Sequence, residues 1–159
     1  MIEKFDEDFA FLSNFWPCDI EFEGIVFPST EHAFQAAKTN DRETRLIIAA
    51  KKTPGQAKRA GGRQGILPDF DFEAWEDKKI DVMGEICRIK FQDPALRELL
   101  KATGSQKLQE GNNWNDTFWG VSLKTGKGRN VLGTILEIIR DEISAEDEPG
   151  DCSDGNGLD

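Results

Sequence analysis

The chain has 159 residues, enough to bury a sizeable core without disulfide or metal staples and most simply organised as one domain. Its three cysteines, Cys18, Cys87 and Cys152, are odd in number, widely spaced and free of any CxxC. They speak against a disulfide or zinc framework and make the cytoplasm the expected compartment. The net charge of −10 disfavours a phosphate-backbone partner, yet −6 of it falls in residues 145–159, which hold no Lys or Arg, leaving only −4 elsewhere.

The start, Met1 to Asp8, is acidic and lacks the apolar run of a signal peptide, and no later apolar stretch is long enough to span a bilayer, so a soluble protein is expected. Phe9-Ala10-Phe11-Leu12-Ser13-Asn14-Phe15-Trp16-Pro17 is an aromatic cluster in which Asn14, if buried, must find hydrogen-bond partners in the protein or a ligand. Alternation in Ile20–Glu23, a turn at Gly24 and the apolar run Ile25–Phe27 predict a β-hairpin that delivers the chain to Pro28.

Ser29 is placed to cap a helix, and Ala33, Phe34 and Ala37 give that helix an apolar side. Glu31, Gln35 and Lys38 fall at i, i+4 and i+7, so a carboxylate, an amide and an ammonium share a face that either lines a polar pocket or is simply solvated. His32, the only histidine, cannot make a zinc site alone and reads as a cap or packing group. A second helix is expected over Glu43–Lys51, with Leu46, Ile47 and Ala50 as its apolar residues. Thr53-Pro54 opens a third, which ends at Gly61-Gly62 and groups Lys58, Arg59 and Arg63 into the most basic cluster of the chain, a phosphate holder or an ordinary dipole complement.

A long central helix is predicted from Phe72 to about Gln92, with Ile80, Met83, Cys87 and Phe91 along one stripe. Trp75 at its start, with Lys79 one turn later, is either a core anchor or a platform for a planar base. Asp93-Pro94 opens a helix carrying Leu96, Leu99 and Leu100, and Ser105 is expected to start another short one. The segment Gly111–Gly120 has loop composition with three large aromatics, and within it Asp116 is either an Asx turn or a functional carboxylate. Val121–Leu123 reads as a strand, and Gly126-Lys127-Gly128-Arg129 as a basic turn without P-loop spacing. Asn130 is placed to cap the clearest helix, striped by Leu132, Ile135, Leu136, Ile139 and Ile143. The expected organisation is a mostly helical α+β domain over residues 1–144, with a small hairpin, and an acidic disordered tail over 145–159.

The set Ser13-Asn14-Phe15, Pro28 to Lys38, Trp75 with Lys79, Asn115 to Gly120 and Gly126 to Gly133 resembles, in this order and spacing, the YbiA-like family, also called NADAR domains. The resemblance spans about residues 5–143 and implies an N-glycosidase on nucleotide-like substrates. Family members are associated with the ribosylamino-pyrimidine phosphates of riboflavin synthesis and with ADP-ribose joined to guanine. Carried over by position, Glu31, Trp75 and Asp116 are the expected active-site residues, with Asn14, His32, Gln35, Lys38, Arg63, Lys79, Trp119 and Asn130 as expected substrate contacts. Gly62-Arg63-Gln64 stands where the family pattern suggests Gly-Arg-Asp, which keeps Arg63 without an acidic neighbour.

Such chemistry suits these residue types. Breaking a ribosyl C–N bond develops cationic charge on the sugar and negative charge on the departing base, so a carboxylate near C1′ and a polar clamp near the base are needed, with no metal or redox cofactor. Three readings follow from the resemblance: a hydrolase of free phosphorylated N-ribosides, a hydrolase of ADP-ribosylated guanine in nucleic acid, and a non-catalytic ADP-ribose or NAD-related nucleotide-binding module. The acidic composition favours the first.

Overall fold

A computed structural model describes residues 1–68 and 70–149. After a 3-10 turn at Glu7–Leu12 come the antiparallel strands β1 (Pro17–Phe22) and β2 (Ile25–Ser29). Their register pairs Ile20 with Phe27 and Phe22 with Ile25, so all four of these side chains point into the core. Ser29 ends the hairpin and caps α1 (Thr30–Ala36) by accepting the His32 N–H at 3.1 Å. All seven residues of α1 are buried, since α2 (Arg42–Ala49), α3 (Pro54–Ala60), α4 (Phe72–Lys90) and both hairpin strands pack around it. Buried Ala57 and Ala60 keep α3 close to α1.

Helix α4 is central as its breadth of apolar positions suggests: it packs on α1, β1 and α6 (Val131–Asp147), burying Met83, Ile86 and Cys87, with Phe91 at its end. Ile80 of the expected stripe is exposed instead. Helix α5 (Pro94–Ala102) rests on α6 through Leu96 and Leu100, whereas Leu99 faces solvent. In α2 the inward side is Ile48 with Thr44 and Arg45, and Leu46 and Ile47 are exposed. This facing has a polar cause: Arg45 donates to Glu23 at 2.6 Å and to the Thr39 carbonyl at 2.6 Å, which holds the Arg45 side of the helix toward the hairpin.

Two further expectations are corrected. No helix follows Ser105, because Ile2 exchanges backbone hydrogen bonds with Lys107 and Gln109, and Glu3 accepts from Gly111 N–H, drawing the segment into an extended form. It leads to β3 (Gly111–Asn112), parallel to β4 (Val121–Ser122). Helix α6 also runs past Ser144 to Asp147, where Arg97 and Lys101 of α5 hold the acidic turn, Arg97 on both Glu146 and Asp147. The remainder of the predicted tail, from residue 150, lies outside the described residues.

Candidate active site

The polar face of α1 lines a cavity. This space, about 640 Å³ and of a size that admits a mononucleotide-like ligand, opens between α1, α3, α4, the Ser13–Phe15 turn and the 110–119 loop. Glu31 lies on its α1 wall, only 7% exposed, and accepts from Gln35 Nε2 at 2.8 Å across one helical turn. Burial pushes its carboxyl above the ordinary range, against the opposing pull of that hydrogen bond and of Lys58 and Lys38. Gln35 is itself confined: its Oε1 is buried without a hydrogen-bond partner and fills the space that a side chain at Gly61 would occupy.

Lys38 lies just past the end of α1 rather than on its helical face; it lines the cavity, donates to the Gly61 carbonyl at 3.0 Å and sits 5.7 Å from the Phe70 ring. Its pKa falls through burial, with Glu31 opposing the fall.

Trp75 is a core residue that also reaches the cavity wall. It is nearly buried, tilted against Phe34 with ring centres 5.2 Å apart, and it also faces the cavity, as does Trp119, edge-on to Phe34 at 5.5 Å. These rings make a flat, apolar side suited to a heterocycle. Lys79 stands nearby, 2.7 Å from Glu76 and 3.8 Å over the Phe118 ring. Asp116 makes the Asx-type turn, its Oδ1 accepting the N–H groups of Phe118 and Trp119 at 3.1 and 2.9 Å, and the residue also lines the cavity. Asn14 lines it too, with its carbonyl accepting the Glu31 N–H at 3.0 Å.

Three expected substrate contacts lie elsewhere. His32 points away from the cavity, donating from Nε2 to the Lys51 carbonyl at 2.9 Å and accepting on Nδ1 from Ser29 Oγ at 2.6 Å. Its pKa is lowered by burial, and both bonds suit the neutral ring, which ties the start of α1 to the end of α2. Arg63 is exposed and stacks 4.9 Å over Phe72, a rim residue, so it stands beside the cavity rather than in it. Asn130 does not cap α6 with its side chain. Its backbone is left-handed (φ 52°), and its amide donates to the Leu108 carbonyl and accepts the Glu110 N–H, at 2.9 and 3.0 Å.

Among the cavity-lining residues outside the set expected from the sequence are Lys58 and Glu110. Lys58 belongs to the basic cluster in which Arg63 is the expected contact, and it is Lys58, an exposed residue, rather than Arg63 that lines the cavity. Glu110 carries no periodic or motif signal at all, yet it lines the cavity, with Oε2 buried and lacking a hydrogen-bond partner among the described residues. Burial, Asp116 and Glu31 push its pKa up to about 8. Among the described residues no three His, Cys, Asp or Glu side chains form a metal-binding group, and no helix is long and apolar enough to cross a membrane.

The molecule is an α+β domain in which a buried carboxylate and half-buried ones share one cavity with aromatic rings and lysines. The chain belongs to the NADAR domain family, whose domain it matches over residues 2–144. It is 38% identical over 141 residues to the N-glycosidase YbiA of Escherichia coli (strain K12), covering 88% of this chain and 85% of that protein. A riboflavin biosynthesis protein of Vibrio vulnificus (strain YJ016) is 37% identical over 139 residues, and there the chain spans 87% of its own length but only 36% of the relative's. The NMR structure of E. coli YbiA superposes with a TM-score of 0.75 at 35% identity, covering 92% and 88% of the two chains.

Proposed function

We propose that this protein is an N-glycosidase that hydrolyses the C–N bond of a phosphorylated ribosyl-base, of the ribosylamino-pyrimidine phosphate type. The observation that carries the reading is the convergence of Glu31 and Asp116 with Trp75 and three lysines, Lys38, Lys58 and Lys79, in one cavity. Trp75 and Trp119 hold the base, a lysine takes the phosphate as a point charge, and Glu31 activates the water that attacks C1′. Asp116, oriented by two backbone N–H groups, stabilises the cationic sugar or holds its hydroxyls. The family membership and the names of the relatives, N-glycosidase and riboflavin biosynthesis protein, support this class.

A second substrate has one observation in its favour. Arg63 over Phe72, and Lys79 and Arg129 against Phe118, place cations around the cavity rim, the kind of basic path that ADP-ribosylated guanine in nucleic acid needs. Offering both substrates to wild type and Glu31→Gln, with chromatographic detection of free base and sugar phosphate or ADP-ribose, separates the readings. Release from the ribosylamino-pyrimidine phosphate, lost in the variant, is expected. Release only from ADP-ribosylated guanosine transfers the assignment to the second substrate, and ADP-ribose binding without any turnover replaces the enzyme with a nucleotide-binding module.

A further inference from the structure

We infer that Glu110 is the proton donor to the leaving nitrogen, the acid half of a pair in which Glu31 is the base; this role rests on the N-glycosidase reading. Three geometric facts carry it. Glu110 lines the same cavity as Glu31 and Asp116 but belongs to a different wall from Glu31, the one formed by the 110–119 loop. Its Oε2 is shielded from water and has no hydrogen-bond partner among the described residues. A carboxyl kept for structure is paired, as Glu137 is with the Leu108 N–H at 2.9 Å, and Glu110 is not.

The backbone beneath this unpaired group is also held firmly. Asn130 Oδ1 accepts its N–H at 3.0 Å, and its carbonyl accepts from Val121 N–H at 2.9 Å. Gly120 packs so tightly on that carbonyl that a Cβ there would overlap it. Such a frame aims a side chain at a fixed place in the cavity.

The groups facing Glu110 decide which carboxyl keeps a proton. Glu31 comes from α1, Asp116 from the loop, Lys58 from α3 and the Cys87 thiol from α4, the last held neutral by burial with its pKa pushed to about 12. Two carboxyls facing each other cannot both ionise cheaply. Glu31 has the Gln35 amide, Lys58 and Lys38 to stabilise its charge, whereas Glu110 has Lys58 alone. Burial raises both carboxyls, but only Glu31 has a hydrogen bond, from Gln35, that favours its charged form, so Glu110, with its pKa pushed up to about 8, is the member of the pair placed to keep the proton.

The step balances without a further reactant. As the C1′–N bond breaks, its electron pair goes to the leaving nitrogen, which takes the Glu110 proton. Water adds its oxygen to C1′ and gives a proton to the Glu31 carboxylate. The products are the protonated base and the ribose phosphate, and a proton passes from Glu31 back to Glu110 through solvent before the next turnover.

The test compares two leaving groups in wild type and Glu110→Gln. One substrate is the ribosylamino-pyrimidine phosphate, whose nitrogen must be protonated to leave. The other is 4-nitrophenyl ribofuranoside 5-phosphate, whose nitrophenolate leaves without a proton. Glu110→Gln is expected to lower kcat on the first by about 10²–10⁴-fold and on the second by less than about tenfold, and to lose the basic limb of the kcat–pH profile. Equal losses on both substrates, or a basic limb that survives, overturn this role alone. Wild type that cleaves neither overturns the N-glycosidase reading and this role with it. Infrared difference spectra of wild type against Glu110→Gln give a check independent of rates: a carboxylic C=O band at neutral pH is expected, and a carboxylate already present at about pH 6 overturns the role whatever the kinetics.

Discussion

The two carboxylate-bearing walls of the cavity are built in opposite ways. On α1, Glu31 and Gln35 are one turn apart on a helix that begins with its own serine cap, so short-range geometry alone sets their spacing. On the other wall, Glu110 and Asp116 sit on chain with almost no regular structure; Asn112 exchanges hydrogen bonds with Asp116 within the loop at 2.8 and 3.0 Å, and bonds from far away fix the Glu110 end, where Asn130 clamps the 108–110 backbone and Glu3 accepts from Gly111. The helix wall can thus lose its chemistry without losing its frame, whereas the loop wall can be broken by a residue that never meets substrate.

The largest effect expected from this contrast is on the helix wall. Glu31→Gln keeps the side chain's shape and is expected to lower kcat by about 10²–10⁴-fold while the midpoint of thermal unfolding moves by only a few degrees. An unfolding midpoint that collapses together with activity would show that the α1 wall is no more self-supporting than the loop. On the other wall, Asn130→Ala leaves the Leu108 carbonyl and the Glu110 N–H without partners, which costs roughly 2–4 kcal/mol in urea unfolding. Activity should fall about tenfold or more although Asn130 lies outside the cavity. Normal kcat in a folded Asn130→Ala protein contradicts the idea that the loop is held from outside.

A smaller effect probes whether the helix wall also leans on a neighbour. Gly61 has an ordinary φ of −87°, so alanine is tolerated by the backbone there, but its Cβ would collide with the Gln35 amide. Gly61→Ala is expected to cost about 1–3 kcal/mol by overpacking and to weaken the grip of Gln35 on Glu31. Gly62→Ala is the control: the nearest atom to its Cβ is a backbone oxygen of Arg59 at 3.3 Å, and a much milder loss is expected. Equal losses at the two positions, seen by denaturant unfolding, would remove the link to Gln35.

This division also explains what is legible in the sequence. The Ser29 cap, the 3.6-residue periodicity of α1, α4 and α6, and the Pro-initiated helices are local signals, and they place Glu31, Gln35, Lys38 and Trp75 where the cavity forms. Leu46 and Ile47 are apolar yet exposed, because the inward side of α2 is decided by the Arg45 pair with Glu23, a contact no periodicity reports. His32 and Asn130 look like site residues and are frame residues, since their bonds to Lys51 and to Leu108 and Glu110 depend on tertiary neighbours. Glu110 is invisible for the same reason: a glutamate before a Gly-Asn-Asn run has no pattern until Ile2 and Asn130 bring its segment to the cavity.

The last consequence is the smallest and has an unusual sign. The Glu110 pKa is raised in the folded protein from an ordinary 4.5 to about 8, so the folded state holds a proton that the unfolded state has released. The stability linked to that proton is fully present below about pH 4.5 and is lost as pH rises through about 8, where the charge must be borne inside the cavity wall. Each pKa unit corresponds to about 1.4 kcal/mol, and the water in the open cavity relieves part of this cost. The amide that replaces the carboxyl in Glu110→Gln carries no charge to bury but remains a poorly partnered polar group, which offsets much of the gain. The variant is therefore expected to be nearly neutral at about pH 5 and more stable than wild type by about 1 kcal/mol at about pH 9. Paired urea titrations at the two pH values measure this directly. A variant whose stability relative to wild type does not rise with pH would mean that Glu110 is already ionised at neutrality, and the loop wall would then offer no proton to the chemistry that the helix wall begins.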